Sequence, residues 1–199
     1  MTTYLQLLSL DTVSCSPSVL VATESSRFLF DSGEGIQRLC VEHRARIAKL
    51  EGLYLTRLCP ETVGGLPGLF LTAADSGKSQ FSVVGPRGTA AFWASTGHFM
   101  RRSMFSVSIS ELEPTNPILS QKYADMTIHS LPIGSRHSSF ICETPQLAGK
   151  FDVAKALSLK IPKGSIYPIT QISSSLSQSV AVNNPNQNGL FLNSRADVL

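Results

Sequence analysis

The short loop "RLCPET" sets Arg57, Cys59, Glu61 and Thr62 within six residues of one another. Cys59 and Glu61 carry a thiol and a carboxylate, both of which zinc accepts as donors. Arg57 keeps its proton at neutral pH and repels a divalent ion, and a threonine hydroxyl is a poor ligand. Two usable side chains do not make a two-metal centre. An autonomous hydrolase would need Cys59, Glu61 and His137 to converge, which is the least supported reading. His43, His98 and His129, like His137, read as surface or core histidines. Cys15, Cys40, Cys59 and Cys142 are far apart and form no C-x-x-C pair. Neither a disulfide framework nor a structural zinc site is indicated, and a reducing compartment is the expectation.

A second stretch carries charge. Between Gly149 and Tyr167 stand Lys150, Lys155, Lys160 and Lys163, opposed only by Asp152. Each lysine can meet a phosphate; the alternative is a solvated basic helix. The turn "GEGIQR" lacks both the G-x-G-x-x-G spacing and a P-loop lysine, so Gly33, Glu34 and Gly35 read as a tight strand-to-helix connection.

The elements that must position these groups are β-rich at the start. "YLQLLSL", "SVLVATES", "RFLFDSG" and "LEGLYLTR" predict strands, followed by "FSVVGP", "SVSISELE", "MTIHSLPI" and "SFICETP". The interval Ile36 to Leu50 predicts one amphipathic helix with a basic outer side, and a second helix is expected from about Gly65 to Ala74, with Pro67 in its first turn. After Pro145 the character changes to a short Lys-bearing helix and a Pro/Gly turn. From Gln171 a run rich in Ser, Asn and Gln has little patterning that could bury a core. The chain of 199 residues is 42% hydrophobic with a formal charge of +3, which suits one sizeable core and permits a polyanionic partner without requiring one. The N-terminus shows no basic n-region or Arg-rich presequence and no long apolar run follows it. The expectation is a nuclear or cytoplasmic protein without a membrane partner, with mitochondrial use left open.

Taken together, "RFLFDSGEGIQRL", "LEGLYLTRLCPETVGGLPGLFLT", "VVGP" and "FICETPQLAGKFDVAKALSLKIPKGSIYP" resemble, in order and spacing, the tRNase Z family of tRNA 3′-end endonucleases over most of residues 4–170. The resemblance implies an α/β (α+β) fold, a metallo-β-lactamase-like αββα sandwich that is incomplete here, with a protruding exosite arm. It divides the chain into a core over 1–145, an arm over 146–170 and a disordered or diverged tail over 171–199. In catalytic members a His-x-His-x-Asp-His loop holds two zinc ions around an activated water. Arg57, Cys59, Glu61 and Thr62 stand at those four positions. A further ligand position falls on Ser135, or on His137 after a short slip.

"LTR" followed by a degenerate loop and an intact "GGLPG" resembles the N-terminal half of the long, two-domain form. That implies a non-catalytic, tRNA-binding half, with no metal of its own and zinc in a catalytic partner half, fused or separate. Precursor tRNA would be gripped at the exosite by Lys150, Lys155, Lys160, Lys163, Gly164 and Tyr167. Ser165 and Lys160 depart from the arm's usual proline and glycine, which predicts a less rigid tip. The alternative is an RNA-free interaction module derived from the same fold.

Overall fold

The computed structural model describes residues 3–10, 16–100, 105–115 and 118–145, and the backbone of 179–182. The predicted arm, with all six of its site residues, lies outside the described residues, as does Cys15.

The first sheet has six strands in the order of the chain: β1 (Tyr4–Ser9), β2 (Ser18–Ala22), β3 (Arg27–Phe30), β4 (Leu50–Tyr54), β5 (Gln80–Pro86) and β6 (Ser106–Leu112). β1 to β3 pair antiparallel. β3 to β6 are parallel, and each connection crosses over through helix: α1 (Ile36–Glu42), then α2 (Pro60–Val63) with α3 (Leu66–Asp75), then α4 (Thr89–Met100). The second sheet is antiparallel, β10-β9-β8-β7, built from β7 (Leu119–Lys122), β8 (Thr127–Ile133), β9 (His137–Glu143) and β10 (Ser179–Val182).

Alternation along the central strands makes two cores. Leu29, Leu53 and Leu55 face the helices with Ile36, Cys40, Leu66, Leu69 and Phe70. Phe28, Phe30 and Tyr54 face the second sheet, where they meet Met126, Ile128, Phe140 and Cys142. Tyr54 stacks on Phe30 at 5.1 Å and meets Phe140 edge-on at 5.3 Å, while its hydroxyl bonds Gln121 Oε1 (2.9 Å) and Tyr123 Oη (2.8 Å). Each such fully buried ring stabilises the fold by roughly 1.5–3 kcal/mol. The described residues thus build a helix layer and two sheet layers of the expected sandwich.

One expectation is corrected. The helix predicted over Ile36 to Leu50 ends at Glu42; a left-handed Arg44 (φ 55°) follows, then a 3₁₀ turn at Ile47–Lys49. A continuous helix would place His43 between Cys40 and Ile47 on the buried face; the break leaves His43 exposed and still buries Ala45 and Ile47. α4 and β7 were not legible, because "TAAFWASTGHFM" has no clean helical stripe and "LSQK" is only four residues long. Within the expected disordered or diverged tail, "SVAV" at Ser179–Val182 pairs with β9, its alternating β-branched residues suiting a strand.

Candidate functional site

The "RLCPET" loop lies beyond the C-terminal end of β4, beside the connection that follows β3. Asp31 begins that connection with φ 59° and is buried. Its Oδ1 accepts from the Thr56 amide (2.8 Å) and its Oδ2 from the Thr56 hydroxyl (2.7 Å), joining the ends of β3 and β4. The Ser32 amide donates to the Thr62 carbonyl (2.7 Å), and the Gly65 amide donates back to the Ser32 carbonyl (2.9 Å). Across the sandwich, Arg57 forms an antiparallel bridge with His137, and the Ser138 amide donates to the Thr56 carbonyl at 2.7 Å.

Within this frame the four loop positions turn to local partners. Arg57 donates from Nη2 to Ser16 Oγ (2.8 Å), and the Ser16 amide donates to the Glu61 carbonyl (3.1 Å). Thr62 is fully buried; its hydroxyl donates to the Arg57 carbonyl (2.7 Å) and lies 3.3 Å from the Cys59 amide. Cys59 caps α2, with its Sγ 3.4 Å from Thr62 Oγ1. Burial pushes the Cys59 thiol above its ordinary range, which disfavours the thiolate that a metal or a nucleophilic role needs. A hydrogen bond from Cys59, and to a lesser extent the charge of Arg57, holds the Glu61 carboxyl below the usual carboxylate range.

Zinc does not fit this loop. Among the described residues no three His, Cys, Asp or Glu side chains converge as a metal would require. Arg57 brings positive charge to the site, and Thr62 spends its hydroxyl on capping. His137 is exposed and joins only through its backbone bridge, and Ser135 is exposed in the β8–β9 turn. His43 and His98 are exposed, while His129 bonds Ser120 Oγ (2.8 Å) and Glu143 Oε2 (3.2 Å) on the outer face of the second sheet.

The glycines act as packing devices. A Cβ on Gly65 would stand 2.1 Å from the Gly33 carbonyl oxygen, and one on Gly68 would stand 2.8 Å from Gln37 Oε1. Gly35 holds φ 76° at the start of α1.

Sequence reasoning missed Ser16 and Asp31. For Asp31 the signal was present: a carboxylate that closes the apolar run "RFLF" directly before a glycine turn has few places to go but inward. Burial raises its pKa from 3.8 to about 7, against the Thr56 hydrogen bonds and the Arg57 charge. The folded state therefore holds this proton more tightly than the unfolded chain. The stability it contributes is full below pH about 4 and is lost as pH rises toward about 7. Asp31→Asn keeps an acceptor for the Thr56 amide and does not titrate. The stability difference between wild type and Asp31→Asn is expected to shift by on the order of 3 kcal/mol from pH 4 to 8, with wild type losing ground. Urea titrations of both proteins at several pH values check this, and parallel pH profiles would assign the slope to other groups.

A mixed sheet packed on an antiparallel one, with helices over its outer face, defines a metallo-β-lactamase-fold domain. The comparisons with known proteins agree. Residues 6–65 match the family model described as tRNase Z endonuclease. The chain is 32% identical over 205 residues to tRNase Z TRZ4, mitochondrial, of Arabidopsis thaliana, covering 87% of this chain and 22% of that protein. It is 31% identical to human zinc phosphodiesterase ELAC protein 2 over 67% of this chain and 16% of the relative. A long-form RNase Z from yeast superposes with a TM-score of 0.58 at 19% identity, covering 90% of this chain and 26% of that one. The chain belongs to the tRNase Z family, and its likeness is to the N-terminal half of the long form. It spans about a fifth of the length of these curated relatives.

Proposed function

We propose that this chain is the non-catalytic, tRNA-gripping half of a tRNA 3′-end endonuclease. The hydrolysis it serves, removal of the 3′ trailer, belongs to a zinc-bearing second half, as the name zinc phosphodiesterase of one relative suggests. The observation that carries the reading is a loop whose side chains turn to local partners: Arg57 Nη2 to Ser16, with Nε left buried and unpaired, and Thr62 to Arg57 and Cys59. A loop whose hydrogen bonds are spent on its own frame serves as scaffold.

Register supports the arm. Glu143 at the end of β9 lies opposite Ser179 at the start of β10, so residues 146–178 connect two neighbouring points on one sheet. Two neighbouring attachment points on the core are what a clamp requires. Lys150, Lys155, Lys160 and Lys163 supply its charge, with Gly164 and Tyr167 at its turn. Contacts to backbone and shape suit a processor that accepts many tRNAs of one fold. The mitochondrial naming of the Arabidopsis relative favours use in that organelle over the nucleus or cytoplasm. Among the described residues no helix is long and apolar enough to cross a membrane.

The test is elemental analysis together with a cleavage assay on the purified chain. No stoichiometric zinc and no cleavage of precursor tRNA are expected, and Arg57→His alone is expected to restore neither. About two zinc ions per chain would overturn the reading, since the two-metal mechanism needs both sites filled. One observation favours the RNA-free interaction module: a surface cleft of about 480 Å³ between α1 and α3, lined by Gly35, Gln37, Arg38, Val41, Gly65 and Gly68, with Val41 69% exposed. Under that reading the chain binds a catalytic half but not RNA.

A further inference from the structure

At the end of the molecule opposite the Arg57 loop, α1 runs into β4 through Arg44-Ala45-Arg46-Ile47-Ala48-Lys49, which contains no acidic residue. Ala45 and Ile47 are buried (6% and 7% exposed), whereas Arg44, Arg46 and Lys49 are exposed. The backbone is fixed where the cations project: the Arg44 amide donates to the Val41 carbonyl (3.1 Å), Ala45 to Cys40 (2.7 Å) and Lys49 to Arg46 (2.9 Å). Arg44 holds φ 55° just past the end of α1, where glycine or asparagine is the ordinary occupant. Arg38, earlier on α1, pairs with Glu42 at 3.7 Å; among the described residues Arg44, Arg46 and Lys49 enter no ion pair.

Three cations on a hydrogen-bonded turn suit a polyanion, because much of the entropy of ordering their backbone is already spent on folding. Their place in the fold adds direction. β3 and β4 are parallel, and Arg27 lies opposite Leu50, so the run sits at the N-terminal ends of these strands. The β7–β8 turn shares that end, where Asp125 Oδ2 accepts from Thr23 Oγ1 (3.1 Å) and the Ser25 amide (3.3 Å). Just past that turn, Thr127 lies opposite Glu143, and Glu143 opposite Ser179. The points where residues 146–178 leave and rejoin the sheet are therefore at the same end as the basic run.

We propose that Arg44, Arg46 and Lys49 are a second RNA-contact surface, holding the phosphodiester backbone of the folded RNA gripped by the arm. The inference rests on the tRNA-binding reading above. The contact is to phosphate and reads no bases, so it tightens binding to every tRNA alike.

The test titrates folded precursor tRNA with the full chain at two salt concentrations, comparing wild type, an Arg44→Asn/Arg46→Gln/Lys49→Gln variant and an arm variant. Asparagine suits the left-handed position, so the fold is kept and the thermal midpoint reports it. The turn variant is expected to bind at least tenfold more weakly at low salt, with the salt slope reduced by roughly 2 for three phosphates no longer neutralised. Arg46→Lys alone is expected to bind as wild type. Unchanged affinity and slope in the turn variant, with binding abolished in the arm variant, would overturn this inference and leave the tRNA-binding reading standing. Unchanged binding in both would overturn the two together. An acidic polypeptide competing as well as RNA of equal charge would also overturn it, by making the run a docking site for an acidic protein.

Discussion

Gly65→Ala is expected to destabilise the protein by about 3 kcal/mol or more, the upper end for an overpacked site. The added Cβ would stand 2.1 Å from the Gly33 carbonyl oxygen and 2.7 Å from Ile36 Cγ2. The nearer obstacle is backbone, which no rotamer change can move. Relief requires α3 to withdraw from the turn that follows β3, which breaks the Gly65 amide bond to the Ser32 carbonyl (2.9 Å) and loosens the Ser32 amide bond to the Thr62 carbonyl (2.7 Å). Two other glycines calibrate the result. Gly35→Ala meets nothing within 4 Å but must hold φ 76°, for about 1–2 kcal/mol. Gly97→Ala, inside α4 with nothing within 4 Å, is expected to stabilise by roughly 0.5–1 kcal/mol. Denaturant midpoints for the three variants check the order. A Gly65→Ala protein as stable as wild type would mean that α3 does not seat against the Gly33 turn as described.

That close approach explains why "GGLPG" suits a loop whose side chains do not fit a metal. Gly65 is set by contact with the Gly33 turn, Gly68 by Gln37 of α1, and Pro67 by the first turn of α3, and none of these demands involves a metal. Such local demands are legible in a sequence. So were the alternating strands β2, β3 and β4, whose residues divide between the helix core and the sheet core. Less was legible where tertiary contact decides. The end of α1 depends on keeping His43 out of a face that periodicity assigned to the core, and β7 exists because a four-residue edge finds β8. At the site, the side-chain types of Arg57 and Thr62 were enough to show a poor fit to zinc. The Ser16 and Asp31 hydrogen bonds join segments 25 to 41 residues apart, and no local pattern encodes such pairings.

If the chain grips RNA through its arm, a triple substitution there has a large effect. Lys155→Ala/Lys160→Ala/Lys163→Ala removes three of the four lysines in the densest basic run outside the core. Their phosphate contacts are sequence-independent and exchange condensed counterions for protein charge, so both affinity and its salt dependence measure them. For folded precursor tRNA the variant is expected to bind some 10- to 100-fold more weakly, at about 1.4 kcal/mol per tenfold. Arg57→Ala, tied to Ser16 and bridged to the start of β9 rather than to the end that leads into the arm's sequence, is expected to leave binding nearly unchanged. The decisive measurement is the titration of precursor tRNA with wild type and the triple-lysine variant, each assembled with the catalytic half, at two salt concentrations. A weaker affinity and a salt slope lower by roughly 0.7–0.9 for each phosphate no longer neutralised is the expected result, whereas equal affinities and equal slopes would contradict a tRNA-gripping arm and leave the RNA-free module in its place.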